Sequence, residues 1–434
     1  MGNGTVTDPV NAIPSGSTHL TPKQVSGVVR NLPLYLVVFV GFLGYSLMIT
    51  VFTPMILHND NGMLAASSST SERTIILGVL LSLYPAGQFL GAPVLGALSD
   101  RVGRRPVLLA SLSAGCVGYA LIATAVDMRS LWLLFVASFF GGLTEANISI
   151  AQSSIADTAA PADRNRLFGY VYLSASMAYV VGPLVGGQLA NTNLVSWFHY
   201  QTPFIAAGIV VLATLVGMFF WFPESRRSGV VGPGYLKSFT NLSTVFTDKR
   251  VRSLYLVNFL LYLAIFGFFR AYPMYLVDAF HLQVSRESAF VAFVAVPIVV
   301  SNLWLVGALS RRFSTTTMTL VSGALTGLFM IVVPLPGILN LLWVTLGLTA
   351  LGLSVCMPSC ATMISLAVGD EEQGRVMGNN QSLQTGAEAV SGLAGGLLAA
   401  VMIQLPLLIF AVMALAGAGR LWFIRRSKPE LNLS

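Results

Sequence analysis

The sequence predicts an all-α integral membrane protein, with twelve spanning helices in two related halves of six, on three observations. Hydrophobic residues make up 55% of the 434 and charged residues 9%, against about 25% charged in an ordinary soluble domain. That is too little charge to coat a soluble fold of this size, so lipid must take the place of water over most of the outside. Twelve runs reach the roughly 20 mostly apolar residues that a helix needs to cross a bilayer. Short motifs of the first half recur in the second at an offset of 209–211 residues.

The runs of the first half are 32–57, 74–98, 106–126, 130–156, 167–190 and 202–222; those of the second are 253–277, 288–309, 315–334, 339–367, 376–401 and 405–424. Several hold proline (Pro85, Pro93, Pro183, Pro297, Pro358), which spanning helices tolerate because neighbours satisfy the freed carbonyls. The chain thus divides into a polar tail over 1–31, a six-helix bundle over 32–222, a basic linker over 223–252, a second bundle over 253–424 and a tail over 425–434. The first tail lacks a charged segment followed by a short apolar core, so no cleaved signal peptide is expected. With both termini cytoplasmic, 20 of the 24 Lys and Arg fall in cytoplasmic segments, three (Arg73, Arg129, Arg286) outside, and Arg270 within the membrane. Such asymmetry sets the orientation of a membrane protein.

The repeat is specific. Gly96-Ala-Leu-Ser99 returns as Gly307-Ala-Leu-Ser310, Arg166-Leu-Phe-Gly169 as Arg375-Val-Met-Gly378, and Gly186-Gly187 as Gly395-Gly396. Repeated halves mark secondary transporters, whose substrate sits near the midplane between them. The net charge of +7 comes from clusters between apolar runs, which argues for topology signals and against a nucleic-acid partner. Cys116, Cys356 and Cys360 lie inside apolar runs with no His or acidic cluster beside them. They read as packing residues, with neither a disulfide framework nor a metal site expected. No nucleotide-binding motif is visible, so the expected energy source is a proton gradient with no cofactor.

Between the second and third runs stands Gly96-Ala-Leu-Ser-Asp100-Arg101-Val-Gly103-Arg104-Arg105-Pro106. Two glycines allow a tight turn, Asp100 can cap a helix or receive an arginine fork, and three arginines anchor the face. This segment resembles the signature loop of the major facilitator superfamily. The resemblance implies a latch: Asp100 against the start of the eleventh helix, Arg104 paired with Asp157 at the end of the fourth, and Glu224 joining after the sixth. It would hold the outward-facing state shut on the cytoplasmic side. In the second copy Arg311 replaces the acid, so two unequal latches are expected.

Gly182-Pro183-Leu-Val-Gly186-Gly187 in the fifth run resembles the motif of proton-coupled drug exporters, its glycines permitting close packing and its proline a kink. Gly141-Gly-Leu-Thr-Glu145, Ile155-Ala-Asp157, Asp163-Arg-Asn-Arg-Leu-Phe-Gly169 and Gly374-Arg-Val-Met-Gly378-Asn-Asn-Gln381 make the chain similar to the tetracycline/proton antiporter branch over nearly its whole length. Drug exporters usually carry an arginine about four residues before the position of Gly141. Ala137 and Ser138 stand in that region, which implies proton transfer by another route.

Charges at membrane depth are costly and mark function by default. Glu145 in the fourth run, Arg270 in the seventh and Glu388 in the eleventh stand out. A carboxyl taken out of water holds its proton more tightly, and an arginine stays charged. Glu145 or Glu388 is therefore the expected proton-coupling residue, with Arg270 its partner or a substrate ligand. A buried charge pair serving assembly is the structural alternative. Gln88, Asn147, Gln152, Asn302, Gln381, Gln384 and Tyr272 are further candidates to line a substrate cavity. Three functions follow: a proton-driven exporter of amphipathic small molecules, an importer or facilitator of a metabolite or anion, and a transport-inactive receptor. The latch residues speak against the last. The expected setting is a cytoplasmic or inner membrane, with a lipid bilayer, protons and a small-molecule substrate as partners, and a monomeric state.

Overall fold

The computed structural model describes residues 31–158, 164–223, 251–368 and 370–427. Every regular element among the described residues is helical: α1 (Leu32–His58), α2 (Thr70–Val102), α3 (Arg104–Asp127), α4 (Leu131–Glu145), α5 (Ile148–Thr158), α6 (Arg164–Leu189), α7 (Thr202–Trp221), α8 (Arg252–Phe280), α9 (Val284–Val300), a π-helical turn (Ser301–Leu305), α10 (Val306–Ser310), α11 (Thr315–Val332), α12 (Leu339–Leu366), α13 (Asp370–Val401) and α14 (Leu405–Ser427). Among the described residues ten spans, counting 131–155 and 284–310 as one each, are long and apolar enough to cross a membrane. α6 and α13 coincide with the fifth and eleventh predicted runs.

Helices satisfy their backbone internally, which is what a chain without water around it requires. Their ends follow ordinary rules. Ser69 and Glu72 form a reciprocal capping box that starts α2, the Ser69 hydroxyl accepting from the Glu72 N–H and the Glu72 carboxylate accepting from the Ser69 N–H. These polar cap residues are why α2 begins four residues before its apolar run. Gly103 separates α2 from α3 with φ +108°, a conformation that suits glycine. The outside is apolar where lipid would lie: α7 exposes Ile209, Leu212, Val216, Phe219, Phe220 and Trp221. α1 and α8 are instead buried on most sides.

Two predicted runs are interrupted. The fourth breaks at Ala146–Asn147, between α4 and α5. There the Asn147 side-chain amide donates to the Ser111 hydroxyl at 3.0 Å, while its backbone carbonyl accepts from the Ile150 and Ala151 N–H groups. The eighth loosens into the π-helical turn four residues after Pro297, a residue that removes a backbone donor.

Two apolar clusters form the core. One draws on residues 34–222 and takes in Met274, Val277 and Ala399 from the second set of helices; the other draws on residues 251–421. The sets meet tightly at the end holding Thr70, Leu189, Val284 and Val401. There α2 crosses α13 so closely that a Cβ on Gly78 would lie 2.6 Å from the Gly396 Cα. Ser71 donates to the Ala400 carbonyl at 2.7 Å, and a Cβ on Gly187 of α6 would strike the Ser288 hydroxyl of α9. Toward the opposite end, which bears Asp100 and Arg311, a Cβ on Gly96, Gly307, Gly378 or Gly386 would meet no described atom within 4 Å. The closed end is therefore the one remote from the latch loop, whereas the resemblance described a latch that closes the other.

Candidate functional site

The first site is built around Glu145, the last residue of α4, only 6% exposed. Tyr119 of α3 donates its hydroxyl to Glu145 Oε1 at 2.6 Å. Gly44 of α1 leaves room for this bond, since a Cβ there would collide with the Tyr119 hydroxyl and lie 3.1 Å from Oε1. Glu145 Oε2 has no hydrogen-bond partner among the described residues. Glu145 borders a cavity lined also by Gly41, Ser111, Gly115 and Asn147, with about 10 Å³ of room for the centre of a water molecule. One water needs about this much space. A carboxyl at a helix break, held on one oxygen by a neutral donor, can lose or gain a proton without uncovering another charge.

The second site joins both sets of helices. Arg270 of α8 has no exposed surface. Its Nη1 donates to the Phe266 carbonyl at 3.0 Å, its Nη2 donates to the Tyr45 hydroxyl of α1, and Nη2 lies 3.5 Å from Glu388 Oε1 of α13. The guanidinium also stands 5.4 Å from the Tyr45 ring centroid, and Tyr45 stacks on Tyr84. Sequence reasoning singled out Arg270 and Glu388 separately; the structure pairs them. It missed Tyr45 and Tyr119, because a tyrosine in an apolar run gives no sign of the charge it touches. Gly44 and Tyr45 are adjacent, so α1 sits between the two sites and touches both.

The remaining candidates are dispersed. Tyr272 is buried and stacks on Phe268. Asn302 and Gln381 are exposed, Gln88, Gln152 and Gln384 are half-buried, and none of these five side chains makes a hydrogen bond among the described residues. Gly182 and Gly186 let α6 close on Ser46 and Leu47 of α1, with Pro183 between them. In the loop, Arg104 pairs with Asp100 at 2.8 Å and donates to the Ser99 hydroxyl, while Arg105 reaches the Phe219 carbonyl of α7 at 2.6 Å. Arg101 is exposed. The Asp157 side chain and Glu224 lie outside the described residues.

One carboxyl escaped the sequence reading altogether. Glu287, in the first turn of α9, has no exposed surface, and neither of its oxygens finds a hydrogen-bond partner among the described residues. The eighth predicted run opens at residue 288, so Glu287 falls just before it.

The sequence pattern of the Major Facilitator Superfamily matches residues 34–348 and 254–434. The chain is 29% identical over 360 residues to the class C tetracycline resistance protein of Escherichia coli, covering 80% of this chain and 83% of that one. Its fold matches the crystal structure of the human organic anion transporter MFSD10 with a TM-score of 0.65 at 21% identity, over 90% of this chain and 99% of that one. It also matches a bacterial homolog of the human lysosomal transporter Spinster, in an inward-facing and occupied conformation, with a TM-score of 0.75 at 15% identity, over 96% of this chain and all of the other.

Proposed function

The chain belongs to the Major Facilitator Superfamily, and from that premise we propose that it is a proton-coupled antiporter that exports amphipathic small molecules by alternating access. The observation that carries the reading is Glu145: a buried carboxyl at a break in a spanning helix, half satisfied by Tyr119 and bordering a water-sized cavity. In this reading Glu145 takes a proton arriving from outside and gives it up to the cytoplasm, while the substrate moves the opposite way. The Arg270–Glu388–Tyr45 cluster holds the two halves together near the midplane and senses the state of Glu145 through α1. The full arrangement is twelve spans with both termini cytoplasmic, in the inner membrane, acting as a monomer. On that orientation the Asp100 loop is cytoplasmic and the closed end is the outer one, which supports reading this state as inward-facing. Gly96, Asp100, Arg101, Gly103, Arg104 and Arg105 then serve the opposite state, as a latch with Asp157 and Glu224.

Proton-driven uptake into everted vesicles tests the reading, with tetracycline as the probe because a relative confers resistance to it. E145Q is expected to abolish uptake driven by a proton gradient while substrate exchange without a gradient persists. Unchanged gradient-driven uptake in E145Q would overturn it. A second reading, an anionic substrate, draws on Arg270: its ion pair with Glu388 is loose at 3.5 Å and its Nε has no hydrogen-bond partner among the described residues. Competition of uptake by an organic anion, lost in R270K, distinguishes the two.

A further inference from the structure

We propose that Glu287 is a proton-binding site on the closed end of the bundle, separate from Glu145 and from the Arg270–Glu388 pair, and that this end shuts only over the neutral carboxyl. The inference rests on reading the chain as a rocking, proton-coupled transporter. Glu287 precedes Ser288, the residue that a Cβ on Gly187 would strike where α9 meets α6. It therefore lies on the turn of α9 that makes, through Val284 and Ser288, the contact that must part for this end to open. In the closed state it is fully buried with both oxygens unpartnered among the described residues. Closing over a carboxylate would leave an uncompensated charge out of water, whereas a carboxylic acid leaves none. Its place in the first turn of α9 offers the anion some favour from the helix dipole, but an isolated ion out of water loses far more than that.

The described surroundings offer no counter-ion within ion-pair distance. Tyr272 of α8 is the titratable group that faces it. Asp278 and His281 lie in or beside the turn between α8 and α9, and Arg286 beside it on α9 is exposed. Among the described residues of α1, α6, α8 and α12, which pack against α9, none forms an ion pair with Glu287. A proton is the ligand that this site can take from the outer medium without a co-reactant: it binds one carboxylate oxygen when the end is open and wet, and it is trapped when α9 closes on α6.

The experiment measures the distance between spin labels at Thr192 and Gln283, both exposed on this end, in the full chain in lipid nanodiscs with C116A, C356A and C360A. No substrate or gradient is present. The distance in the otherwise unaltered chain is expected to lengthen as the pH is raised from about 5 to about 9, across the range in which buried carboxyls titrate. E287Q is expected to keep the short distance at every pH, and E145Q to keep the lengthening. Constancy of the distance in the unaltered chain overturns the proposal, with no need for a variant at Glu287 to fold. An E287Q curve that follows the unaltered one also overturns it, as does loss of the response in E145Q alone. Lengthening without gradient-driven uptake in vesicles retains this site and sinks the antiport reading instead.

Discussion

Glu145 and Glu388 are two answers to keeping a carboxyl out of water. Glu145 accepts one bond from a neutral tyrosine, keeps an oxygen free and borders a cavity. Glu388, 12% exposed at its side chain, faces a fixed cation that is itself wholly buried. Neutralising the first uncovers nothing, whereas neutralising the second strands a guanidinium. The difference bears on which acid could be the mobile element: in the proposed reading a proton comes and goes at Glu145 while Arg270 and Glu388 stay as the joint about which the helices turn. The joint also reaches across the molecule, through the Tyr45 hydroxyl of α1, so its loss should be felt in the fold as well as in transport.

The largest test of this contrast is R270M. It leaves Glu388 beside an apolar chain, and breaking one side of a buried pair costs about 3–5 kcal/mol. Thermal unfolding of the purified protein should show that loss, and the double variant R270M/E388M should recover most of it without recovering uptake. A recovered uptake would show the pair to be packing alone. E145Q should be nearly silent in the same unfolding measurement, within about 1 kcal/mol, because a glutamine carbonyl still accepts from Tyr119. Y119F removes one hydrogen bond worth about 0.5–1.5 kcal/mol net, a loss comparable to that of E145Q, and the smallest effect on uptake is expected from it: slower transport with its dependence on the gradient kept. A Y119F variant as inactive as E145Q would make the tyrosine part of the proton path.

The helices were legible because apolar length is a strong signal: Leu32–His58 and Thr202–Trp221 agree with their predicted runs to within one residue. Charges in apolar stretches gave Glu145, Arg270 and Glu388 for the same reason. What failed to show was anything decided by neighbours. The break after Glu145 hides in a run whose Asn147 and serines look like ordinary polar dilution, and only the bond to Ser111 reveals it. Tyr45 and Tyr119 carry no sequence mark of their partners. Glu287 falls one residue short of the eighth predicted run, in a stretch whose polar residues hide the helix start, although burial of that start puts its carboxyl inside. The latch residues had a clear pattern, but a pattern cannot say which of two conformations a chain is in.

The glycine crossing of α2 and α13 has a mechanical consequence. α13 contains no proline, so it can act as a stiff rod. It is held near Gly392 and Glu388, where a Cβ on Gly392 would come 3.2 Å from Arg270 Nε. From Gly396 to Gly392 is about 6 Å along the axis, and from Gly392 to Asp370 about 33 Å. A rod pivoting there swings Asp370 roughly five times as far as Gly396. G396L, forcing its α2 neighbour away at a cost of about 1–3 kcal/mol, should therefore displace a spin label at Gln381, about 17 Å from the pivot, roughly three times as far as it moves Gly396 itself. The bare backbone contact at one end sets the stroke of the whole lever, and equal displacements at the two ends would show that α13 bends instead of swinging.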